Sequence, residues 1–180
     1  PQARVRDVVS NAARRVEAEA LYRRLAELYA TRLAMPGKAA LAWEEVARRE
    51  PLETGPLEAL LKVYGQMGSL RETAEVYWRL AALEPSREQK KEIFFAGARL
   101  AEEQLADKPG AIRAYQAVRA LDPEDNQALK GASRLLQETE SWAELGALIA
   151  GTIDVAEKRG LAEQALELKV KLGRLQNTRL

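Results

Sequence analysis

Apolar residues recur along this chain at the spacing of a helix face. From Arg4 to Leu33 they fall at Val5, Val8, Val9, Ala12, Val16, Leu21, Leu25, Leu28 and Leu33, mostly three or four residues apart, with no proline or glycine between them. Ser10-Asn11 reads as a joint dividing this stretch into two helices, because the corresponding place late in the chain is Lys158-Arg159-Gly160. Met35-Pro36-Gly37-Lys38 then makes a turn, echoed by Asp107-Lys108-Pro109-Gly110, and each leads into the second helix of a hairpin. Pro51 to Pro56 joins the first hairpin to the next, Leu57 to Gln66 with Ser69 to Leu83, whose tight link is flanked by Gly65 and Gly68. Further helices are predicted over Arg87 to Ala106, Asp125 to Glu138, Ser141 to Glu157 and Leu161 to Leu180. Ser69-Leu70-Arg71-Glu72 and Ser141-Trp142-Ala143-Glu144 both read as capping boxes.

The pattern repeats. Ala111 to Pro123 reads AIRAYQAVRALDP and Ala39 to Pro51 reads AALAWEEVARREP, so the shift that carries Ala39 onto Ala111 also puts Trp43 on Tyr115, Val46 on Val118 and Pro51 on Pro123. A third version, TAEVYWRLAALEP, ends at Pro85. A small residue, an aromatic four positions on and an apolar residue three further lie on one helix face. The small residue lets a neighbouring helix approach and the aromatic fills the space beside it, so Trp43, Tyr77 and Tyr115 are assigned to the core, with Leu70 and Trp142. The proline ends each unit, and Asp122 before Pro123 reads as an N-cap. Pro51 and Pro85 are 34 apart and Pro85 and Pro123 are 38 apart, so long and standard hairpins alternate.

A helix–turn–helix unit of this length resembles the tetratricopeptide repeat (TPR). The best match carries Leu57, Leu60, Leu61 and Tyr64 in its first helix and Tyr77 and Ala81 in its second, closing at Pro85; the unit near Asn126, with Leu129, Ala132, Ser133 and Leu136, has no closing proline. The resemblance implies an all-α fold, a right-handed α-solenoid of stacked antiparallel helix hairpins with eight or nine helices. Its units run over residues 14–51, 54–85, 88–123 and 126–157, with a partial unit over 161–180. It also implies a concave face lined by first helices, which in this chain gives Glu58, Lys62 and Gln66 in one hairpin and Lys130, Arg134 and Gln137 in another. Between them Phe95 and Arg99, four apart and off the Leu100, Ala101, Leu105 stripe, should share an exposed face. Cations with one exposed aromatic suit an acidic or C-terminal peptide. The clamp that grips chaperone carboxylates is a poor fit, since Glu58 and Lys62 stand where it uses lysine and asparagine. Both ends fall inside repeats, which reads as part of a longer array. The apolar Leu161, Leu166, Leu168, Leu172 and Leu175 would then pack on another chain, self-association included, or fray.

Composition narrows the chemistry. Lys plus Arg is 28 and Asp plus Glu 27, so 28 − 27 = +1, and no single-sign field draws nucleic acid or membrane by itself. With no cysteine and no histidine the chain lacks thiolate and imidazole nucleophiles and the commonest zinc ligands. No apolar run approaches the roughly 18–20 residues that cross a bilayer. The acidic pairs Glu44-Glu45 and Glu102-Glu103 are adjacent on helices and diverge by about 100°, and the glycines are scattered at turns rather than gathered in a phosphate loop. No catalytic residue, metal site or cofactor is therefore assigned. Residues 1–32 hold seven arginines (Arg4, Arg6, Arg14, Arg15, Arg23, Arg24, Arg32) against Asp7, Glu17, Glu19 and Glu27. Most read as solvated and paired one turn away, as Arg23 with Glu19 or Glu27. The function expected is a non-catalytic scaffold holding a partner protein or peptide. An RNA-binding helical array and a recruiting module of a larger enzyme are the alternatives.

Overall fold

Each stretch with the 3.6-residue apolar period forms a helix, and each proline or left-handed residue marks a link. The computed structural model describes residues 2–179, with side chains from residue 16 onward. Among the described residues it is all helix: α1 (Gln2–Thr31), α2 (Pro36–Arg49), α3 (Gly55–Met67), α4 (Leu70–Leu83), α5 (Arg87–Glu103), α6 (Lys108–Leu121), α7 (Asn126–Glu138), α8 (Trp142–Lys158) and α9 (Ala162–Arg179). The backbone gathers into two compact units, Pro1–Pro85 and Ser86–Leu180. In the first, α1 packs on α2, α2 on α3 and α3 on α4; in the second, α5 to α9 follow the same sequential order. Short links between packed neighbours make these antiparallel hairpins.

The links repeat bond for bond in the register that carries Pro51 onto Pro123. The Leu33 amide donates to the Leu28 carbonyl at 3.1 Å and the Met35 amide to Tyr29 at 2.9 Å; Leu105 donates to Leu100 at 3.1 Å and Asp107 to Ala101 at 2.8 Å. Ala34 and Ala106 provide the left-handed residue, at φ 47° and 51°. In the shorter link Ser69 donates to Tyr64 at 3.0 Å and Ser141 to Leu136 at 2.9 Å, the six-to-one closure of a left-handed helix end. Gly68 supplies the positive φ in one copy, 66°, and Glu140 in the other, 55°.

Four local expectations are corrected. The joint at Ser10-Asn11 is absent and α1 runs unbroken from Gln2 to Thr31; serine and asparagine each cost a helix only a fraction of about 1 kcal/mol, too little to break it without proline or glycine. The side chains of Val5, Val8, Val9 and Ala12, and of Arg4, Arg6, Arg14 and Arg15, lie outside the described residues. The serines of both capping boxes make no side-chain cap. At ψ 73° and 61° their short hydroxyls miss the first-turn amides, whereas Asp107, at a similar ψ of 77°, reaches Gly110 N with its longer carboxylate at 3.0 Å. Asp122 is the C-cap of α6, its amide donating to Val118; the N-cap of α7 is Asp125, which accepts from Ala128 N at 2.9 Å. Finally, α5 ends at Glu103 rather than Ala106, because Ala106 takes the left-handed turn.

In the first unit Trp43, Val46, Leu57, Leu60, Val63, Val76 and Leu80 are buried. In the second the core joins Ala98, Ala101, Tyr115, Val118, Ala132, Leu135, Leu136 and Leu145, with Phe94, Phe95, Trp142 and Leu175 packed against it. Tyr115 therefore packs where the motif places it. Its ring lies against Gly131 of α7, so close that a Cβ there would stand 2.7 Å from ring carbons. Tyr77 and Leu70 are half-buried. Helix α9 packs on α8 with Leu168, Leu172 and Leu175 half-buried, leaving Leu161, Leu166 and Val170 exposed.

Candidate functional site

In the second unit the polar stripe of α7 faces water. Lys130, Arg134 and Gln137 are exposed, three or four residues apart as one helix face requires. Arg134 reaches across to Glu102 of α5 and along α7 to Glu138, 3.0 Å away. The bond to Glu102, then the bond to Glu138, raise the guanidinium above its ordinary value. Glu138 is itself held below the usual carboxylate range, first by Lys108 at 3.0 Å and then by Arg134. Arg99 on α5 and Lys130 are exposed cations that form no ion pair among the described residues.

Phe95 departs from the expected exposed pair with Arg99. It is half-buried and meets Tyr115 edge-on, centroids 6.2 Å apart and planes at 64°, a favourable aromatic geometry. The ring turns inward because Tyr115 offers apolar surface on that side, while Arg99 stays in water. Burial and Glu102, which accepts from the Tyr115 hydroxyl at 3.3 Å, push that phenol up from its ordinary value. The structure thus joins Arg134 to the α5 surface and assigns Phe95 to packing.

In the first unit Glu58, Lys62 and Gln66 are exposed on one stripe of α3. Beside them, Glu44 of α2 accepts from Tyr64 Oη at 3.1 Å and from Arg79 Nη1 at 2.9 Å, tying α2 to both α3 and α4. Glu45 turns instead to Arg48 and Arg49, 2.7 Å to each, and is held down to about 2 by them. Arg23 pairs with Glu50, the C-cap of α2, neither Glu19 nor Glu27 being its partner, and Arg49 also lies over the Tyr22 ring at 4.9 Å. A sequence-local search misses a partner on the next helix. Among the described residues no group of three or more acidic side chains is placed to hold a metal ion, and no helix is long and apolar enough to cross a membrane.

Each unit also holds a cavity at the same register, which the sequence reading missed. One, about 250 Å³, is lined by Ala47, Pro51, Leu57, Arg79 and Leu83 among others. The other, about 190 Å³, is lined by Pro123, Leu129, Thr152, Val155, Arg159 and neighbours. The shift that carries Pro51 to Pro123 also carries Leu57 to Leu129 and Leu83 to Val155. The repeat was the available signal.

No protein-family model matches the chain, and no curated protein matches its sequence. Among solved structures it is similar to one described as the crystal structure of MamA protein, with 17% identity and a TM-score of 0.45 over 89% of this chain and 93% of that one. It is also similar to MamA 41-end from Desulfovibrio magneticus RS-1, with 16% identity and a TM-score of 0.42 over 89% and 96%. Likeness of this degree transfers neither family nor partner.

Proposed function

We propose that this chain is a TPR-like, non-catalytic interaction module that holds an acidic peptide or partner segment on the exposed polar faces of its first helices. The observation that carries the reading is the α7 stripe of Lys130, Arg134 and Gln137 with Arg99 of α5: cations on packed helices, exposed and only partly neutralised. Rigid helices hold such a row in place at little entropic cost on binding, and opposite charge speeds encounter with an acidic partner. Glu58, Lys62 and Gln66 form a second such stripe in the first unit. RNA binding is the second reading; of the basic residues it would use, Arg23, Arg48 and Arg49 are paired with carboxylates.

The test is capture from source-cell lysate by the chain and by a Lys62→Glu, Arg99→Glu, Lys130→Glu, Arg134→Glu variant of equal helicity by circular dichroism. Loss of an acidic partner from the variant supports the reading; capture of the same proteins by both refutes it. Exposed Leu21 and Leu25 on α1 and Leu166 and Val170 on α9 are the surfaces through which copies would self-associate. Sedimentation of Leu25→Glu and Leu166→Glu variants checks that.

A further inference from the structure

Helices α1 and α9 carry the same stripe of residues. The shift that takes Leu33 to Leu180 also takes Ala18, Leu21, Leu25 and Leu28 to Ala165, Leu168, Leu172 and Leu175, and Arg32 to Arg179, each the same residue type. One side-chain bond repeats with them: the Thr31 hydroxyl donates to the Glu27 carbonyl at 2.7 Å, and the Thr178 hydroxyl to the Arg174 carbonyl at 2.8 Å. Positions three and four apart lie along one helix face.

In α9 this stripe is covered. The helix packs on α8 with Ala165 buried and the three leucines half-buried, and Leu175 reaches the core of the second unit. Two contacts fix the direction. Lys169 pairs with Glu157 in the last turn of α8 at 2.6 Å, and the Arg179 guanidinium lies 4.8 Å from the centre of the Trp142 ring, at the start of α8. The stripe thus takes an antiparallel helix that offers an apolar face and, in its first turn, an aromatic ring.

In α1 the stripe is bare. This helix packs on α2 with a different side, which holds the buried Ala26, Tyr22 under Arg49 and Tyr29 under Lys38. Leu21, Leu25 and Leu28 stand 67%, 39% and 38% exposed, and Arg32 beyond them is exposed. Contiguous exposed apolar surface marks an interaction site, and anchors four and then three residues apart are those of helix recognition.

We propose that the α1 stripe docks a helix of a partner protein with the chemistry of α8: antiparallel to α1, apolar along one face, with an aromatic residue in its first turn for Arg32. The α8–α9 interface argues for that occupant, since it is the same stripe with its cover in place. A second copy of this chain does not offer such a surface, because α8 of each copy lies under its own α9. The site is separate from the polar stripes of α3 and α7 and stands or falls without them.

The test is methyl nuclear magnetic resonance of the whole chain, leucine-labelled and titrated with a lactam-stapled peptide of residues 141–160, the α8 sequence, or with a scrambled peptide of the same composition. The α8 peptide should give saturable shifts at Leu21, Leu25 and Leu28, and the scrambled peptide none. Leu25→Glu should weaken binding about tenfold or more, since an apolar contact is replaced by a charge that must be desolvated. Should that variant fall short of parental helicity by circular dichroism, Leu21→Glu, at the most exposed leucine of the stripe, decides. A Trp142→Ala peptide should bind about two- to fivefold more weakly, the range of an exposed cation–π contact, and in an Arg32→Ala chain the two peptides should bind alike. No saturation, equal binding of the scrambled peptide, undiminished affinity in both glutamate variants, no loss with the Trp142→Ala peptide, or shifts at Leu168, Leu172 and Leu175 in place of those in α1 would each overturn the proposal. A parent chain that sediments as a dimer and is made monomeric by Leu25→Glu would overturn it too, because a second copy would then be what covers the stripe.

Discussion

Replacing Gly131 by alanine separates two effects of opposite sign. Alanine is the better helix former by about 1 kcal/mol, and at an open site in α7 that would be the result. Here the added Cβ would lie 2.7 Å from Tyr115 Cε2 and Cζ and 2.9 Å from Cε1. Carbon atoms settle at about 3.5–4.0 Å, so the ring must retreat by roughly 1 Å. Retreat disturbs both of its other contacts, the edge-on Phe95 ring and the bond to Glu102. Overpacking of this kind costs about 1–3 kcal/mol, so Gly131→Ala should be net destabilising by up to about 2 kcal/mol, lowering Tm by about 2–4 °C per kcal/mol at this chain length. In a Tyr115→Leu background the obstruction is gone and the same substitution should stabilise. Thermal unfolding of the four proteins of the cycle reads the coupling. Stabilisation by Gly131→Ala with Tyr115 in place would refute the close packing of α6 on α7.

Among the caps, Asp125→Ala should cost about 1 kcal/mol, whereas Ser69→Ala, whose hydroxyl caps nothing, should stay within about 0.5 kcal/mol in urea unfolding. Glu140→Gly should stabilise, because a side chain at φ 55° costs about 1–2 kcal/mol against about 0.5–1 kcal/mol for the added freedom of glycine; a loss of Tm would contradict it. Asp122, which accepts from Lys91 at 2.7 Å, is held below its ordinary value chiefly by that bond. Its contribution to stability is therefore complete above about pH 3.9 and is lost as pH falls through the depressed value; a carboxyl carbon-13 midpoint at or above about 3.9 refutes this. Tyr64 is pushed up to about 12 by burial and then by Glu44. The fold thus loses stability as pH rises past about 10, where the unfolded phenol ionises, and Glu44→Gln should lower the phenolate midpoint seen in ultraviolet absorbance.

Periodicity made the helices and links legible, because proline and left-handed turns recur at fixed intervals. Trp43 and Tyr115 were legible as core for the same reason. Details set by side-chain reach were not: Ser69 and Ser141 have the composition of caps, but their hydroxyls fall short at ψ 73° and 61° where the longer carboxylate of Asp107 reaches at ψ 77°. Asp122 precedes a proline, but α6 uses its amide to finish and Asp125 starts α7. Of the proposed binding residues, Lys62 and Lys130 were legible as exposed from helix phase. Phe95 was not, since its burial depends on a ring supplied by another helix. The cavities lie between elements, where no local pattern points to them.

The repeat also offers a comparison within one chain. The hydrogen bonds of the links match from one copy to the next, so the backbone frame is held constant while side chains vary within it. At several buried positions the exchange is apolar for apolar, as Leu60 for Ala132 and Val63 for Leu135. Ala47 and Leu80 against Arg119 and Thr152 is different: two buried apolar residues on separate helices are replaced by two buried polar ones bonded to each other. Neither change stands alone, because an arginine without the hydroxyl would bury its donors unpaired. Stability does not account for the pair, since a buried charge is commonly no better than well-packed apolar residues in its place. The first unit, with Ala47 and Leu80, folds into the same hairpins without it. What the pair adds is a side-chain hydrogen bond between α6 and α8 of the second unit.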